Sequence, residues 1–515
     1  MVRADLPFEE VAESAGLGGF RVIGARGDAT TIRDTIGHGA GTLDFDADGR
    51  LDVVLTAPDR VQLYRNLGNW TFTPVDAGLR QAGWWGGIAV ADVDGNGDPD
   101  LFLTGYGCQA LYLNEAGRFR EVTDPWGLQP PPGAHPSWGS SAGFQDLDGD
   151  GWVDLVICRY IDFGVGTPQR CATIREGVTS VCAPKVYEPQ RPRVLRNVGG
   201  KRFEDVTERW GIRGHGAALG VAFQDADDDG RPEIVIANDE RPGDYFVKRG
   251  SRWVERGADS GLAYDREGRV HGGMGVDWGD ADGDGLPDLS VMTFTGEDKS
   301  LYRNLGGGLF VDQAWRWGLT RPTRMDIAFG VRFLDFDRDG RLDLAIANGH
   351  IQENASAIRD EAGYDQPFRL FHGVPTGFDE VAPGSWPSLV GRALVMGDWD
   401  NDGGQDLLVG SVSGPPLLYR NRAKGGHWVG LSLRGRRPNT MALGARVTLI
   451  TASGRQVREV QTAGSYLSSG DPRLVFGLGE TTAEPNVEVR WPGGRTTRVT
   501  SLKLDSWRML DEPPN

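Results

Sequence analysis

Short apolar runs alternate with polar turns along most of this chain, and long helix-periodic stretches are scarce. One kind of run is Leu51-Asp52-Val53-Val54-Leu55, a second is Leu63-Tyr64-Arg65-Asn66, and a third starts with an aromatic residue and closes on Gly-Leu, as in residues 72–79. Short runs rich in branched and aromatic residues and bounded by turn residues are typical of β-strands. The pattern therefore predicts an all-β chain with many turns.

These runs recur in a fixed order, which indicates internal repeats. This third kind of run, which closes on Gly-Leu or a similar pair, occurs seven times, at residues 8–17, 72–79, 119–128, 203–212, 253–262, 310–319 and 378–389. Its first copy precedes every other element, whereas the last repeat ends at Asn421 without one. We therefore expect the amino-terminal strand to complete the last repeat and close a seven-bladed β-propeller over residues 1–424, leaving no long free edge.

Every repeat carries a nine-residue motif with acidic or amide residues at positions one, three, five and nine. Four carboxylates in one tight loop repel one another strongly unless a cation lies among them. Oxygen ligands on a short flexible loop suit calcium, and the strand-like flanks distinguish these loops from an EF-hand. We predict about seven structural Ca²⁺ ions, with acid-rich surface turns as the alternative.

The predicted ligands are the side chains at positions one, three, five and nine and the backbone carbonyl at position seven, while glycine at position six makes the turn. They are Asp44, Asp46, Asp48, Arg50 and Asp52; Asp92, Asp94, Asn96, Asp98 and Asp100; Asp146, Asp148, Asp150, Trp152 and Asp154; Asp225, Asp227, Asp229, Arg231 and Glu233; Asp280, Asp282, Asp284, Leu286 and Asp288; Asp335, Asp337, Asp339, Arg341 and Asp343; and Asp398, Asp400, Asp402, Gly404 and Asp406.

Composition supports a folded, metal-binding chain. Aromatic residues make up 9% of the 515 residues, too many for a disordered polymer. The formal charge of -17 would ordinarily disfavour nucleic acid and anionic membranes. Seven dications would add about 14 positive charges and leave about -3, so we interpret the acidity as counter-charge for metal.

The third repeat contains the one large insertion, from about residue 159 to 193. It includes Cys171 and Cys182 in a loop-rich segment with little core of its own, which suits a disulfide in an oxidising compartment, although free or differently paired thiols remain possible on the sequence alone. Cys108 and Cys158 follow apolar runs, so we expect buried, unpaired thiols there.

Beyond a Gly-rich linker at residues 424–426 the composition changes, and residues 425–515 predict a separate small β-domain without an acidic loop. The acidic repeats resemble the FG-GAP/VCBS repeats of integrin-like propellers. The tail, through residues 443–447, 464–468, 476–479 and 489–494, resembles an ASPIC/UnbV domain. Together they are similar to the cartilage acidic protein family, which implies a secreted calcium-binding protein.

A second candidate site follows from topology. If the acidic loops leave the inner strands at one face, the segments leading into those strands gather at the opposite mouth of the channel. They include the candidate acid–base residues His38, His135, His215, His271 and Asp326. The same mouth should also contain Trp84, Trp85, Trp138, Met274, Glu240, Glu297 and His350.

Several histidines near one axis could bind a second metal or transfer protons, or they could simply fill crowded positions. Two functions follow. The first is an extracellular binding module that takes a protein, glycan or small molecule at the propeller face. The second is an enzyme that catalyses a cyclisation or rearrangement at the channel mouth.

The location is predicted from calcium affinity. Loops of this class suit millimolar external calcium better than the cytosol, so we expect a monomeric extracellular or periplasmic protein whose signal segment is not part of this sequence. No apolar run reaches the roughly 20 residues needed to span a bilayer.

Overall fold

The computed structural model describes residues 6–22, 30–80, 82–173, 175–358, 363–452 and 454–514. Within these residues seven antiparallel sheets follow one another along the chain. The first strands of successive sheets contact one another, and the ring closes between the first and the seventh. The predicted seven-bladed β-propeller is therefore confirmed.

Each blade has four strands that follow chain order from the channel outward, except in blade 7, whose outermost strand is the amino-terminal one. They are Ala40–Leu43, Asp52–Ala57, Arg60–Asn66 and Phe72–Val75 in blade 1; Trp84–Ala91, Asp100–Tyr106, Gln109–Asn114 and Phe119–Glu121 in blade 2; Gly139–Gln145, Asp154–Arg159, Arg193–Asn197 and Phe203–Asp205 in blade 3; Ala218–Gln224, Glu233–Asn238, Asp244–Arg249 and Arg252–Glu255 in blade 4; Val276–Gly279, Asp288–Val291, Ser300–Asn304 and Phe310–Asp312 in blade 5; Ala328–Leu334, Asp343–Asn348, Arg369–Val374 and Gly377–Glu380 in blade 6; and Gly391–Gly397, Asp406–Ser411, Leu417–Asn421 and Phe8–Glu10 in blade 7.

The amino-terminal strand closes the ring as the repeat order predicted. Phe8 pairs with Asn421 and Glu10 with Tyr419 in antiparallel register. Phe8 is buried, and its ring lies 6.1 Å from that of Phe336 in the neighbouring blade. The first residues described thus form part of the core of the last blade.

Neighbouring inner strands approach closely because their contact positions lack side chains. A Cβ atom on Gly275 would lie 1.9 Å from the carbonyl oxygen of Phe329, and one on Gly220 would lie 2.2 Å from that of Met274. Any larger residue would push the inner strands of blades 4, 5 and 6 apart.

Helices are short and lie in connections. They span Ile32–Ile36, Thr207–Trp210, Gly257–Ser260, Thr320–Thr323 and Ala355–Ile358, with a 3₁₀ turn at Pro184–Val186. Two small strand pairs, Cys171–Ala172 with Thr179–Ser180 and Gln366–Pro367 with Ser388–Leu389, lie outside the blades. None of the described helices is long and apolar enough to cross a membrane.

The blade-3 insertion is fastened by the disulfide that the sequence suggested, between Cys171 and Cys182. Cys158 is a buried free thiol, as expected, whereas Cys108 is free but only half-buried. The expected burial of Cys108 was wrong because this residue lies in the turn between the second and third strands of blade 2 and not within a strand.

The carboxyl-terminal region forms two further sheets. One contains Leu474–Gly479, His427–Arg434 and Ser506–Asp511, and the other contains Gly454–Glu459, Arg446–Thr451, Asn486–Arg490 and Thr496–Val499. Their buried faces form one hydrophobic cluster with residues of blades 2 and 3 such as Phe102 and Phe144. The carboxyl-terminal domain therefore shares a core with the propeller.

One segment of this domain enters the propeller channel. We call residues 461–471 the plug. Ser468–Ser469 adds a parallel strand to the inner strand of blade 1, at Ala40 and Gly41. The other contacts with inner strands are hydrogen bonds to Val90 and Ile88 of blade 2, Ser141 of blade 3, Gln224 of blade 4, Val276 of blade 5, Val331 of blade 6 and Met396 of blade 7. Each of the seven blades therefore touches the plug.

Candidate functional site

The seven acidic motifs, which we call the ion loops, share one backbone shape. In each loop the residues at positions four and six have positive φ. Position six is always glycine, with φ between 80° and 100°, and its N–H donates to the first acid of the loop at 2.7–3.1 Å. Because glycine adopts this region without steric cost, it lets the loop fold back over its own carboxylates.

Position seven makes the same backbone contact in every loop. Its N–H donates to the side-chain oxygen at position five at 2.7–3.0 Å in all seven loops. The residue types there range from Gly404 to Trp152 and Arg231. This variety fits the predicted use of the position-seven carbonyl, since no side chain is needed for it.

The ninth acid does more than the sequence indicated. One of its oxygens accepts the N–H of the second loop residue at 2.8–3.1 Å in every loop. In all blades except blade 4, the other oxygen accepts an N–H of the third strand at 2.7–2.8 Å, as Asp52 does from Asn66. The ninth acid therefore ties the loop to the sheet.

Burial of these ninth acids leaves negative charge in a poor solvent. All seven are at most 2% exposed. Burial raises the pKa of Asp52 to about 7 and that of Glu233 to about 9, and it raises the pKa of Asp100, Asp154 and Asp406 well above the ordinary range. A cation in the loop would favour the ionised form that burial penalises.

Other carboxylate oxygens of the loops point inward without a partner. Among the described residues, buried oxygens lacking any hydrogen-bond donor occur in five different loops, at Asp46, Asp225, Asp280, Asp335 and Asp400. Acidic groups of a single loop bring ligand atoms within 4.8 Å of one another, as in Asp44, Asp46 and Asp48 or Asp146, Asp148 and Asp154. This donor set fits a hard divalent cation such as calcium.

A basic residue of the third strand pairs with the outer oxygens of most loops. Arg65 lies 2.6 Å from Asp46, and Arg196 lies 2.6 Å from Asp150. Arg303 and Arg420 repeat this arrangement in blades 5 and 7. In blade 6 the position belongs to His372, whose Nε2 lies 3.1 Å from Asp337. Blade 2 has Leu113 at the position of this basic residue and the uncharged Asn96 at position five of its loop. Blade 2 therefore lacks both the base and one of the acids.

Six of the seven ion loops are also joined to the next blade by a side chain; blade 6 has Gly373 at this position. The side-chain amide of Asn66 donates to the Trp399 carbonyl of the blade-7 loop at 2.9 Å. Asn114, Asn197, Asn304 and Asn421 make the same bond to the preceding loop, and Lys248 replaces the amide in blade 4. Ordering one loop therefore supports its neighbour as well.

The carboxyl-terminal domain lies over the ion-loop face. It contacts the first acid of four loops directly, through Thr440 to Asp92, Arg490 to Asp225, the N–H of Gly477 to Asp335 and the indole N–H of Trp507 to Asp398. These contacts place this domain on the side of the propeller from which the loops project.

The opposite mouth of the channel contains a cavity of about 400 Å³, which we call the mouth cavity. Its walls combine the starts of inner strands, at Leu219 and Phe329, with the residues that follow second strands, such as Tyr160 and Asp239. The disulfide loop, helix Ile32–Ile36 and residues 350–358 complete it. Of the residues predicted at this mouth, Met274, Glu240, Glu297 and His350 line the cavity.

The five candidate acid–base residues have separate partners, and none of them lines the mouth cavity. The Nδ1 of His38 lies 2.8 Å from the Trp85 carbonyl, and the Nε2 of His271 lies 3.1 Å from the Tyr302 hydroxyl. Burial lowers the pKa of both imidazoles to about 4, so both are neutral at physiological pH.

The remaining three form ion pairs. His135 lies 3.1 Å from Asp162, and Asp326 pairs with Arg369. His215 lies 2.5 Å from Asp244, whose hydrogen bond raises the pKa of the imidazole. His38 is therefore held by the neighbouring blade 2, and the other four are held by contacts of their own blade or insertion, so the five do not form a shared site.

Sequence reasoning missed Asp239 and Tyr160, which form a hydrogen-bonded pair in the wall of the mouth cavity. The Tyr160 hydroxyl donates to Asp239 Oδ2 at 2.7 Å, and burial raises the pKa of Asp239 to about 7. Both residues follow the second strand of their blades, the position that pointed to Glu240, Glu297 and His350. Applying that rule to every residue of these loops would have found them.

Two family models match the chain. The FG-GAP-like repeat model matches residues 44–103, 92–157 and 280–346, and the ASPIC and UnbV model matches residues 435–515. The first matches cover ion loops, and the last covers the domain that lies on them.

Relatives and solved structures extend the comparison. Cartilage acidic protein 1 of Mus musculus is 26% identical over 92% of this chain and 73% of its own length, and the Homo sapiens protein is 26% identical over 92% and 71%. An Agrocybe aegerita lectin described as recognising terminal N-acetylglucosamine aligns at 16% identity over 67% of this chain and 79% of its own, with a TM-score of 0.39. The WD40 propeller domain of Doa1 aligns at 11% identity over 78% and 96%, with a TM-score of 0.40.

No functional argument rests on these two structural alignments. The chain joins FG-GAP-like repeats to a carboxyl-terminal ASPIC and UnbV domain, which confirms the predicted relationship to the cartilage acidic protein family.

Proposed function

We propose that this protein is a secreted, calcium-binding β-propeller that acts as an extracellular binding module. Ions held in the ion loops stiffen one face of the ring, and the mouth cavity on the other face receives a ligand. The disulfide between Cys171 and Cys182 supports an oxidising, extracellular setting. Calcium at millimolar external concentration would keep loops of this class filled.

The observation that carries the proposal is the set of inward-facing carboxylate oxygens without a donor at Asp46, Asp225, Asp280, Asp335 and Asp400. A buried carboxylate oxygen without a partner costs free energy, and a divalent cation at the centre of the loop removes that cost. The side chains at positions one, three, five and nine and the carbonyl at position seven would hold each ion.

The acid–base alternative at the channel mouth depended on residues that the structure holds in separate contacts. His38 and His271 are buried and neutral, and His135, His215 and Asp326 are each paired with a charged neighbour. We therefore base the proposal on binding rather than on catalysis by this set.

Metal analysis tests the proposal. Protein equilibrated with calcium and freed of unbound metal should retain about seven Ca²⁺ per chain by plasma mass spectrometry. Asp46→Asn should lower the count by about one, because it removes charge from an inward-facing oxygen. Asp98→Asn should leave it unchanged, since position seven offers its carbonyl only. A count near zero in the unmodified protein would contradict the proposal.

A further inference from the structure

The mouth cavity is large and mostly apolar. Its volume of about 400 Å³ is in the range of sites that enclose small organic molecules. Ile36, Leu219, Met274, Phe329 and Val181 supply the apolar wall, and all five are buried. These side chains belong to a cluster that includes Tyr466 of the plug, whose ring lies 5.0 Å from that of Phe329. The plug thus closes the inner end of the cavity, and a ligand enters from the mouth.

Three carboxylates lie on one side of this apolar wall, at Asp239, Glu240 and Glu297. Asp239 accepts the Tyr160 hydroxyl, and Glu297 Oε2 accepts the N–H groups of Gly272 and Phe294 at 3.0 Å each. The carboxylates are close enough to disturb one another: the pKa of Asp239 is raised first by burial and then by the charges of Glu240 and Glu297. The same causes, burial and the Glu240 charge, raise the pKa of Glu297, against the opposing effects of its hydrogen bonds and Lys299.

The nearby cations do not neutralise this wall from within the cavity. No lysine or arginine is among the described residues that line it. Lys185 pairs with Glu240 at 3.8 Å, but its side chain is 72% exposed, so solvent screens the pair. The buried Lys299 donates to the carbonyls of Phe294 and Glu297, and Arg392 donates to the carbonyls of Thr35, Gly349, Gly391 and His350. Among the described residues, the cavity lining therefore has three carboxylates and neither lysine nor arginine.

The backbone holds this acidic side in place. Glu240 adopts φ of +53°, in the left-handed region that non-glycine residues occupy only under constraint. The hydrogen bonds of Asp239 and Glu297 orient their carboxylates before any ligand arrives. Phe294 also lines the cavity and can present its ring face to a cation, whereas the Phe329 ring already carries the Arg392 guanidinium 3.9 Å from its centroid.

We propose that the mouth cavity binds an organic cation, an ammonium group carried on an apolar body. The ammonium group lies against Asp239, Glu240 and Glu297, and the apolar body lies against Ile36, Leu219, Met274 and Phe329. The proposal rests on the binding module proposed above, and it names the ligand class of that module. An anionic ligand would meet three carboxylates, and a neutral one would leave the acidic side without a partner.

A matched series of probes tests the charge requirement. 4-Phenylbutylamine, 4-phenylbutanol and 4-phenylbutyrate share one apolar body and differ in the charge of the end group. Isothermal titration at pH 8 in excess calcium should give a dissociation constant for the amine at least about tenfold lower than for the alcohol, with no binding of the carboxylate. Equal affinities for amine and alcohol, or no binding of any probe, would overturn the proposal.

Variants locate the site. Asp239→Asn and Glu297→Gln keep an acceptor for Tyr160 and for the two N–H groups, so the fold is retained while one charge is removed. Each variant should raise the dissociation constant of the amine by about tenfold and leave that of the alcohol unchanged. Glu484→Gln, an exposed residue of the carboxyl-terminal domain, is the matched control and should change nothing. Amine affinity that is the same in all three variants places the binding elsewhere and overturns the proposal.

The two proposals fail separately. If chelation lowers the melting temperature but no probe binds, the organic-cation proposal fails and the ion-stabilised module stands. If chelation has no effect, the calcium proposal fails, and the selectivity for the amine still decides the ligand class of the cavity.

Discussion

The two faces of this propeller differ in how they are built. The ion-loop face repeats one hydrogen-bond pattern seven times and is covered by the carboxyl-terminal domain. The mouth face shares no repeated motif and is assembled from an insertion, a short helix and the ends of second strands. The comparison teaches that the repeat supplies rigidity, whereas departures from the repeat supply a distinct chemical environment.

Removing calcium with a chelator should have the largest effect, because it acts on the ion-loop face and not on the mouth face. Each filled loop adds about 2.7 kcal/mol when calcium is at 100 times its dissociation constant, and several loops together exceed the stability of an ordinary domain. We expect EDTA to lower the melting temperature by more than about 10 °C in a calorimetric scan. Added calcium should restore it, and equal magnesium should restore less because Mg²⁺ demands a tighter octahedral shell. The same melting curve with and without EDTA would contradict structural calcium.

Removing the plug's anchor tests whether the two faces are coupled. Tyr466 is fully buried, and its hydroxyl donates to the Ile36 carbonyl at 2.9 Å. Tyr466→Ala should cost about 3–5 kcal/mol in denaturant unfolding, because it leaves a cavity and an unpaired acceptor. Met509→Ala, which truncates a side chain of the same domain that is 50% exposed, is the control. A loss below about 1 kcal/mol would mean that the plug is not needed for ring stability.

Acid should weaken the mouth face through His271. Burial lowers its pKa to about 4, opposed by Asp265 and aided by Lys299, while an unfolded histidine titrates near 6.5. Below pH 6.5 the unfolded chain takes up a proton that the folded chain does not, so stability falls until about pH 4. We expect His271→Gln to remove up to about 3 kcal/mol of this pH dependence in chemical unfolding with saturating calcium. An unchanged slope would show that His271 titrates alike in the folded and the unfolded chain, which would contradict a lowered pKa.

Opening the disulfide should have the smallest effect on stability and act on the mouth face alone. Cys171 and Cys182 are 11 residues apart, so the loop-closure argument gives at most about 3 kcal/mol. The double variant Cys171→Ser/Cys182→Ser should bind 4-phenylbutylamine more weakly, because both residues line the cavity. Its calcium content should stay the same. Cys108→Ser is the matched control, and a similar loss of binding in it would contradict a local effect.

The repeated face could be predicted from sequence because each element carries a local signal. Asp44 to Asp52 and its six copies fix the loops, and the unmatched strand at Phe8 indicates ring closure. The positive φ at position four could not be predicted, because no residue type is common to this position. Ala47, Arg338 and Asn401 occupy it in three loops, and Gly95 occupies it in another. Two further features depend on contacts between residues that are distant in sequence. They are the bond of the ninth acid to the third strand and the bond of the Asn66 amide to the Trp399 carbonyl.

The mouth face and the plug could not be predicted in the same way. The topological rule placed Glu240, Glu297 and His350 at the correct mouth but could not say that His38 and His271 point into cores. Residues 461–471 are polar and glycine-rich, which indicates a surface loop. Only the width of the channel, set by seven inner strands, makes it favourable to bury them there.

The pairing of Phe8–Glu10 with Leu417–Asn421 has a consequence for biosynthesis. The partners are separated by more than 400 residues, so a ribosome must release nearly the whole chain before the seventh blade can form. Until then six blades present an open end, and the plug, encoded later still, has no finished channel to enter. This order of events is compatible with the proposed secretion, in which the chain would be exported unfolded and would assemble where calcium is available.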